Sequence, residues 1–173
     1  VLVGFTALQA EMEAAEWLPA GQPLTVTVQT KSLDGEPRAA RGSVTIHRLR
    51  QPDRVVRSPL ATDRGWYFRG GYNSWQKSGS RPEPDLSDPN NWELGEVAAE
   101  ARFETDTSGK TGIVYRLDTG IYRAMLTTRD AFGKEVTARL PLQVVNENAR
   151  HLDVRVPNQV LARRWSVHPG ETF

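Results

Sequence analysis

Hydrophobic and polar residues alternate with a period of two along several short stretches, which is typical of β-strands that bury one face. The pattern is clearest in 120–145, where two such stretches flank a short polar segment. Asp130 and Gly133 in that segment favour a tight turn, because Asp can bond its own backbone and Gly can adopt a positive φ. We therefore predict an antiparallel hairpin. Its apolar positions are Tyr122, Ala124 and Leu126 on the first strand and Val136, Ala138, Leu140, Leu142 and Val144 on the second.

Five further stretches share this period and predict strands over residues 3–14, 24–30, 42–49, 96–105 and 112–117. A helix competes for the first stretch, since 11–17 contains good helix formers, but Gly4, Thr6 and the strict alternation favour a strand. The apolar positions predicted for 96–105 are Val97, Ala99, Ala101 and Phe103. The sequence thus predicts an all-β protein, an immunoglobulin-like antiparallel β-sandwich of about seven strands.

The alternation is lost over 51–95, which is predicted to be a long loop inserted into the sandwich. Prolines at 52, 59, 82, 84 and 89 interrupt this segment. Its acidic and amide residues, Asp85, Asp88, Asn90 and Asn91, are oxygen donors that calcium can use, but between prolines they favour turns. Loops longer than about 15 residues are uncommon in compact domains and are often functional. The sequence therefore indicates the insertion as the strongest candidate for a binding site.

An aromatic cluster with interspersed arginines lies in the middle of the insertion. Its candidate interaction residues are Arg64, Trp66, Tyr67, Phe68, Arg69, Tyr72 and Trp75. Three interpretations are open. The aromatic rings can pack under the loop as a small satellite core, they can anchor a protein partner, or they can stack on sugar rings beside the neighbouring amide side chains.

Little else in the sequence indicates a reaction. The net charge of +1 does not favour a nucleic-acid-binding surface. The chain has no cysteine, so disulfides, thiolate metal sites and a cysteine nucleophile are excluded. The three histidines lack the spacing of metal ligands, and Glu96, Glu100 and Glu104 fit the solvated face of a strand better than an acid–base pair. We expect no enzymatic activity, no metal and no cofactor.

The ends of the chain bear on its domain organisation. No apolar run reaches the ~20 residues of a membrane helix, so no direct membrane insertion is predicted. The chain begins with Val1, and 169–173 has the character of a strand that is just starting. We predict a piece of a longer polypeptide, with a β-sandwich domain over 1–147 and a linker and first strand of a following domain over 148–173.

Several short motifs follow one another in a specific order. They are TKSLDGEP at 30–37, GSVTIHRL at 42–49, WELGEV at 92–97, FET at 103–105, LDTGIYR at 117–123, DAFG at 130–133 and PGE at 169–171. Pro52 and Arg57 follow the second motif. In this order they resemble a middle macroglobulin-like domain of the large bacterial alpha-2-macroglobulin family. The similarity covers essentially the whole chain.

The resemblance implies a role in protease trapping. In that family a bait segment is cut, the molecule rearranges around the attacking protease, and many members capture it through a thioester formed from Cys and Gln. Because this chain has no Cys, the resemblance implies a non-catalytic scaffold within a periplasmic or extracellular protease inhibitor. Its expected partners are neighbouring domains of the parent chain and, through the parent, target proteases. Arg54, Arg57, Arg64 and Arg69 would make the insertion a candidate bait segment. The alternative is a carbohydrate-binding or adhesion module that uses the loop aromatics.

Overall fold

The regular secondary structure of the described residues consists of eight β-strands and one 3-10 turn. This computed structural model describes residues 7–15, 18–58, 84–151, 153–157, 166 and 170. The strands are β1 (Gln9–Ala14), β2 (Leu18–Pro19), β3 (Pro23–Lys31), β4 (Arg41–Leu49), β5 (Leu94–Glu104), β6 (Lys110–Arg116), β7 (Gly120–Arg129) and β8 (Glu135–Val145). The 3-10 turn, Pro89–Asn91, precedes β5.

The strands form two sheets that face each other. One has three strands in the order β1-β3-β6, and the other has five in the order β2-β8-β7-β4-β5. All strand pairs are antiparallel except β2 with β8. The predicted antiparallel β-sandwich and the hairpin β7–β8 are therefore confirmed.

Alternating side chains from both sheets fill the space between them. Val26 and Val28 of β3 and Val44 and Ile46 of β4 are completely buried in one continuous cluster. Each fully buried Val, Leu or Ile stabilises the fold by about 1.5–3 kcal/mol relative to an exposed one. The period of two thus produces the stable sandwich, because it sends every second side chain of each strand into this layer. The cluster also contains Met12, Leu18, Leu24, Phe103, Tyr115, Leu117, Tyr122, Ala124, Leu126, Leu142 and Val144.

Two features of the sheets differ from the sequence prediction. The two-residue strand β2 was not predicted, because two residues are too short to show a period and their partners, Val144 and Val145, lie far along the chain. The assignment of Val97 to the buried face was wrong, since this side chain is 54% exposed. The register explains why: Ile46 pairs with Ala99 but His47 pairs with Val97, so a β-bulge shifts Val97 to the outer face.

Tyr122 joins the core to the chain that enters β7. Its ring is 2% exposed, and its hydroxyl donates to the backbone carbonyl of Asp118 at 2.9 Å. A tyrosine that bonds back to the backbone just upstream is a recurrent feature of immunoglobulin-like sandwiches. The guanidinium of Arg48 lies 6.0 Å from the centre of the ring. This contact lies at the end of the sandwich at which β4 ends and β7 begins, which we call the insertion end.

The opposite end, which we call the turn end, contains the β7–β8 turn and two polar clusters. In the first, the buried Thr30 and Thr105 hydroxyls lie 2.8 Å apart, and Thr30 also donates to the carbonyl of Arg38 at 2.5 Å. The Thr105 hydroxyl accepts the backbone N–H of Ala40 at 2.8 Å. These bonds connect the three-stranded sheet to the chain that crosses into the five-stranded one.

In the second cluster, Asp130 accepts backbone N–H groups around the turn. One carboxylate oxygen accepts from Ala7 at 3.0 Å, and the other accepts from Phe132 and Lys134, each at 2.9 Å. These bonds, with that from Ala7 the strongest, hold the pKa of Asp130 below its ordinary value. The carboxylate therefore ties the residues before β1 to the β7–β8 turn.

Candidate interaction site at the base of the insertion

The two ends of the insertion are held together where it leaves the sandwich. The Ser58 hydroxyl donates to the carboxylate of Asp85 at 2.9 Å and also contacts the Ser87 hydroxyl. Closer to the strands, the N–H of Arg50 donates to the carbonyl of Glu93 at 3.0 Å. The described residues on either side of 59–83 therefore lie close together.

Carboxylate side chains shape the returning arm of the insertion. Asp85 accepts the backbone N–H of Ser87 at 2.9 Å, and Asp88 accepts that of Asn90 at 2.9 Å. The Ser87 hydroxyl, followed by its backbone N–H and the Ser58 hydroxyl, holds the pKa of Asp85 below its ordinary value. Asp88 caps the 3-10 turn, in which Pro89 fills an early position that needs no donor. The acidic and amide residues of this arm thus form turns, as predicted.

Trp92 anchors the returning arm to the outer face of the five-stranded sheet. Its side chain is 2% exposed and packs with Leu49 and Ile121, which point away from the main core. The indole N–H donates to the carbonyl of Leu86 at 2.8 Å. One side chain thus fixes both the position of the arm on the sheet and its internal turn.

Arg123 on β7 bonds to the 3-10 turn from the outer face of the five-stranded sheet. The guanidinium of Arg123 donates to the carbonyls of Pro89, at 3.2 Å, and Asn90, at 2.7 Å. Arg123 points to the outer face because its neighbours on β7, Tyr122 and Ala124, point into the core. The carbonyls at the end of the turn are therefore satisfied by the scaffold.

The chain after β8 returns to the same place. Val154 is 4% exposed and packs in the Trp92 cluster. The backbone N–H of Arg155 donates to the side-chain amide oxygen of Gln51, and its guanidinium donates to the carbonyl of Pro52, both at 2.8 Å. The departing arm of the insertion is thus held by residues that follow the predicted domain boundary at 147. The boundary itself stays a prediction.

The residues predicted from sequence as the interaction site lie outside the described residues. They are Arg64, Trp66, Tyr67, Phe68, Arg69, Tyr72 and Trp75, and they stay a prediction. Sequence reasoning missed the residues that hold the loop base, namely Trp92, Arg123 and Arg155. A signal for Trp92 existed in the Asp-Pro-Asn-Asn turn that precedes it. The sequence around Arg123 and Arg155 gives no such signal, because each of these residues bonds to a segment that is distant in the sequence.

The described residues contain few groups arranged for chemistry. No set of three or more His, Asp or Glu side chains in 7–15, 18–58 or 84–151 is placed to hold a metal ion. Glu96, Glu100 and Glu104 are exposed on β5, and Glu104 forms an ion pair with Arg41 at 2.7 Å. In the described part of the chain, no helix has the length and apolar character needed to cross a membrane.

Comparisons with known proteins add little to this description. No protein-family model matches the chain, and no curated protein matches it. Among solved structures, it is similar to Spo0M, a sporulation control protein from Bacillus subtilis, with a TM-score of 0.41 and 8% identity. The match covers 81% of this chain and 50% of Spo0M, so the chain spans about half the length of that protein.

Proposed function

We propose that this chain is a non-catalytic β-sandwich module that presents its insertion to a protein partner. The observation that carries the proposal is the closed base of the insertion. Ser58 and Asp85 hold the two arms together at 2.9 Å, and Trp92 fixes the returning arm on the sheet. Long insertions in compact domains are often functional, so a base that is closed by this hydrogen bond and held to the sheet by the buried Trp92 favours a selected role.

The scaffold explains how such a loop can act without disturbing the fold. The base lies on the outer face of the five-stranded sheet, whereas the main core lies between the sheets. Cleavage or rearrangement of 59–83 would therefore leave the main core intact. This separation is what a bait segment requires, because the loop must change while the module holds its position.

We further propose that the module belongs to a protease inhibitor of the alpha-2-macroglobulin type, outside the cytoplasm. The ordered motifs in the sequence support this family, and an antiparallel sandwich is compatible with it. Neighbouring domains of the same polypeptide and the trapped protease would be its partners. In this proposal Arg64 and Arg69, which lie within 60–83, are the sites that a trypsin-like protease recognises.

The test uses the full-length natural polypeptide that contains this chain. In one variant, residues 60–83 are replaced by a Gly-Ser linker of about four residues, which is long enough to join the adjacent arms. The control is Phe132→Ala, at the exposed β7–β8 turn of the other end. Each protein is mixed with trypsin, and cleavage of a large protein substrate and of a small peptide substrate is measured.

We expect the wild type and Phe132→Ala to block cleavage of the large substrate and to spare the small one. The linker variant should melt at the wild-type temperature yet give no protection. A folded linker variant that still protects the substrate would overturn the role of the insertion. If the wild type blocks no protease, but glycan titration shifts its tryptophan emission and not that of the linker variant, the carbohydrate-binding alternative is correct.

A further inference from the structure

A group of arginines lies at the turn end, on the outer face of the five-stranded sheet and away from the insertion. Two adjacent depressions there share Arg41 and Arg129 in their walls. The smaller, with a volume of about 370 Å³, is also lined by Arg102, Ser43 and Thr127. The larger, of about 650 Å³, adds Arg38, Ala39 and Ala40 but also the acidic residues Glu104 and Asp130, so the smaller depression is the more cationic of the two. Neither depression belongs to the proposed interaction site.

Strand register brings these residues together from three strands. Ser43 of β4 pairs with Arg102 of β5 on one side and with Thr127 of β7 on the other. Gly42 pairs with Thr128, so Arg41 and Arg129 are the next residues on neighbouring strands. Five of the lining residues, Arg41, Ser43, Arg102, Thr127 and Arg129, alternate with residues that face the core, and their side chains therefore project from the outer face.

The sheet beneath the depression is closely packed. A Cβ atom at Gly42 would lie 2.3 Å from the carbonyl oxygen of Thr127 and 2.8 Å from the Phe103 ring, so only glycine fits. The Thr128 hydroxyl donates to the carbonyl of Arg41 at 2.7 Å and joins the same two strands. The backbone that carries the arginines is thus fixed in place, although their side chains are exposed.

The positive charge of this surface is only partly balanced. Arg41 pairs with Glu104 at 2.7 Å, whereas Arg102 and Arg129 form no ion pair or side-chain hydrogen bond with any described residue. Glu135 is the partner of Arg129 in the β7–β8 register, but the two form no ion pair. Like charges on neighbouring strands destabilise a sheet. Glu104 and Glu135, the cross-strand partners of Arg41 and Arg129, offset part of this cost, and an anion held between the guanidinium groups would offset the rest.

We propose that this depression is a binding site for an oxyanion, the phosphate or sulfate group of a ligand. Guanidinium groups present paired N–H donors that match the oxygens of phosphate and sulfate, and they bind such groups in two-point contacts. The hydroxyls of Ser43 and Thr127 add donors on the floor between the arginines. Several donors facing one concave surface suit a group with three or more acceptor oxygens.

Phosphate and sulfate titrations of the 173-residue chain test the site. The backbone and arginine side-chain NMR signals are followed at constant ionic strength, with sodium chloride as the exchanged salt. We expect saturable shifts at Arg41, Arg102, Arg129, Ser43 and Thr127. Phosphate should also raise the melting temperature more for the wild type than for Arg129→Gln, because the general stabilisation by phosphate acts on both alike. A sulfated disaccharide, measured alongside inorganic phosphate, shows whether the anion is preferred free or attached to a sugar. Saturable binding of either probe supports the site, and the probe with the lower dissociation constant shows which form of the anion is preferred.

Two variants decide whether the arginines are responsible. Arg129→Gln should weaken phosphate binding about tenfold or more, because it removes hydrogen bonds to a charged group. In chloride, where no phosphate is bound, the Arg129→Gln variant should have the same melting temperature as the wild type, because the substitution relieves the repulsion between Arg129 and Arg41. Arg139→Gln, on the same outer face but on β8 and outside the depression, is the control and should bind normally. Shifts that chloride reproduces, or equal binding by both variants, would overturn the proposal.

Discussion

Removal of the Trp92 side chain should destabilise the whole sandwich and not only the insertion. Trp92 is 2% exposed and joins residues from β4, β7 and the segment after β8 in one cluster. Replacement of a buried Trp by Ala costs about 3–5 kcal/mol, because transfer energy is lost and a cavity remains. Domains of this size have a total stability of about 5–15 kcal/mol, so Trp92→Ala should remove a large part of it.

Milder substitutions separate the contributions to that loss. Trp92→Phe keeps an aromatic ring in the cluster but removes the 2.8 Å hydrogen bond to the carbonyl of Leu86, which is 40% exposed, and this loss should cost about 0.5–1.5 kcal/mol. Val154→Ala removes two buried methyl groups, worth about 1.6 kcal/mol or more. Because Trp92 and Val154 share one cluster, the double variant should lose less than the sum of the single losses.

Urea unfolding of the 173-residue chain, followed by far-UV circular dichroism, measures each free energy. The control is Phe132→Ala, because this side chain is 80% exposed and its loss should change the stability by less than about 0.5 kcal/mol. A cost below about 1 kcal/mol for Trp92→Ala would show that the cluster does not anchor the insertion. A measurable cost for Val154→Ala would extend the sandwich domain past residue 147.

Two further predictions concern the polar clusters of the turn end. Thr30→Val or Thr105→Val should each cost about 1–3 kcal/mol in urea unfolding, and the double variant should cost less than their sum, because each single change already breaks the bond between the two buried hydroxyls. Additive losses would contradict a direct hydroxyl pair. The ionised Asp130, with its lowered pKa, stabilises the fold above the ordinary carboxyl pKa of 3.8, and this contribution is lost as the pH falls from there through the folded value. Thermal melts between pH 6 and pH 2.5 should therefore show a smaller loss of stability for Asp130→Asn than for the wild type, and parallel profiles would refute this assignment.

The sequence was most informative where local pattern and long-range packing agree. In β3, Leu24, Val26 and Val28 alternate with polar residues, and the structure buries these three side chains. It was least informative where pairing between strands decides the outcome. Val97 has a regular place in the pattern of β5, yet the bulge opposite Ile46 and His47 moves it to the outer face. The sequence of β5 alone does not predict this bulge, because the bulge depends on how β5 pairs with β4.

The same limit applies more strongly to the two proposed sites. The aromatic residues of the insertion could be predicted as a candidate site because they are close together in the sequence. A single sequence shows such local clusters directly. Arg41, Arg102 and Arg129 lie on three strands and look like ordinary polar positions on solvated faces. Only the pairing of Ser43 with both Arg102 and Thr127 places the three guanidinium groups around one depression. A site assembled by strand register has no signature in any one strand, because its residues become neighbours only when the strands pair.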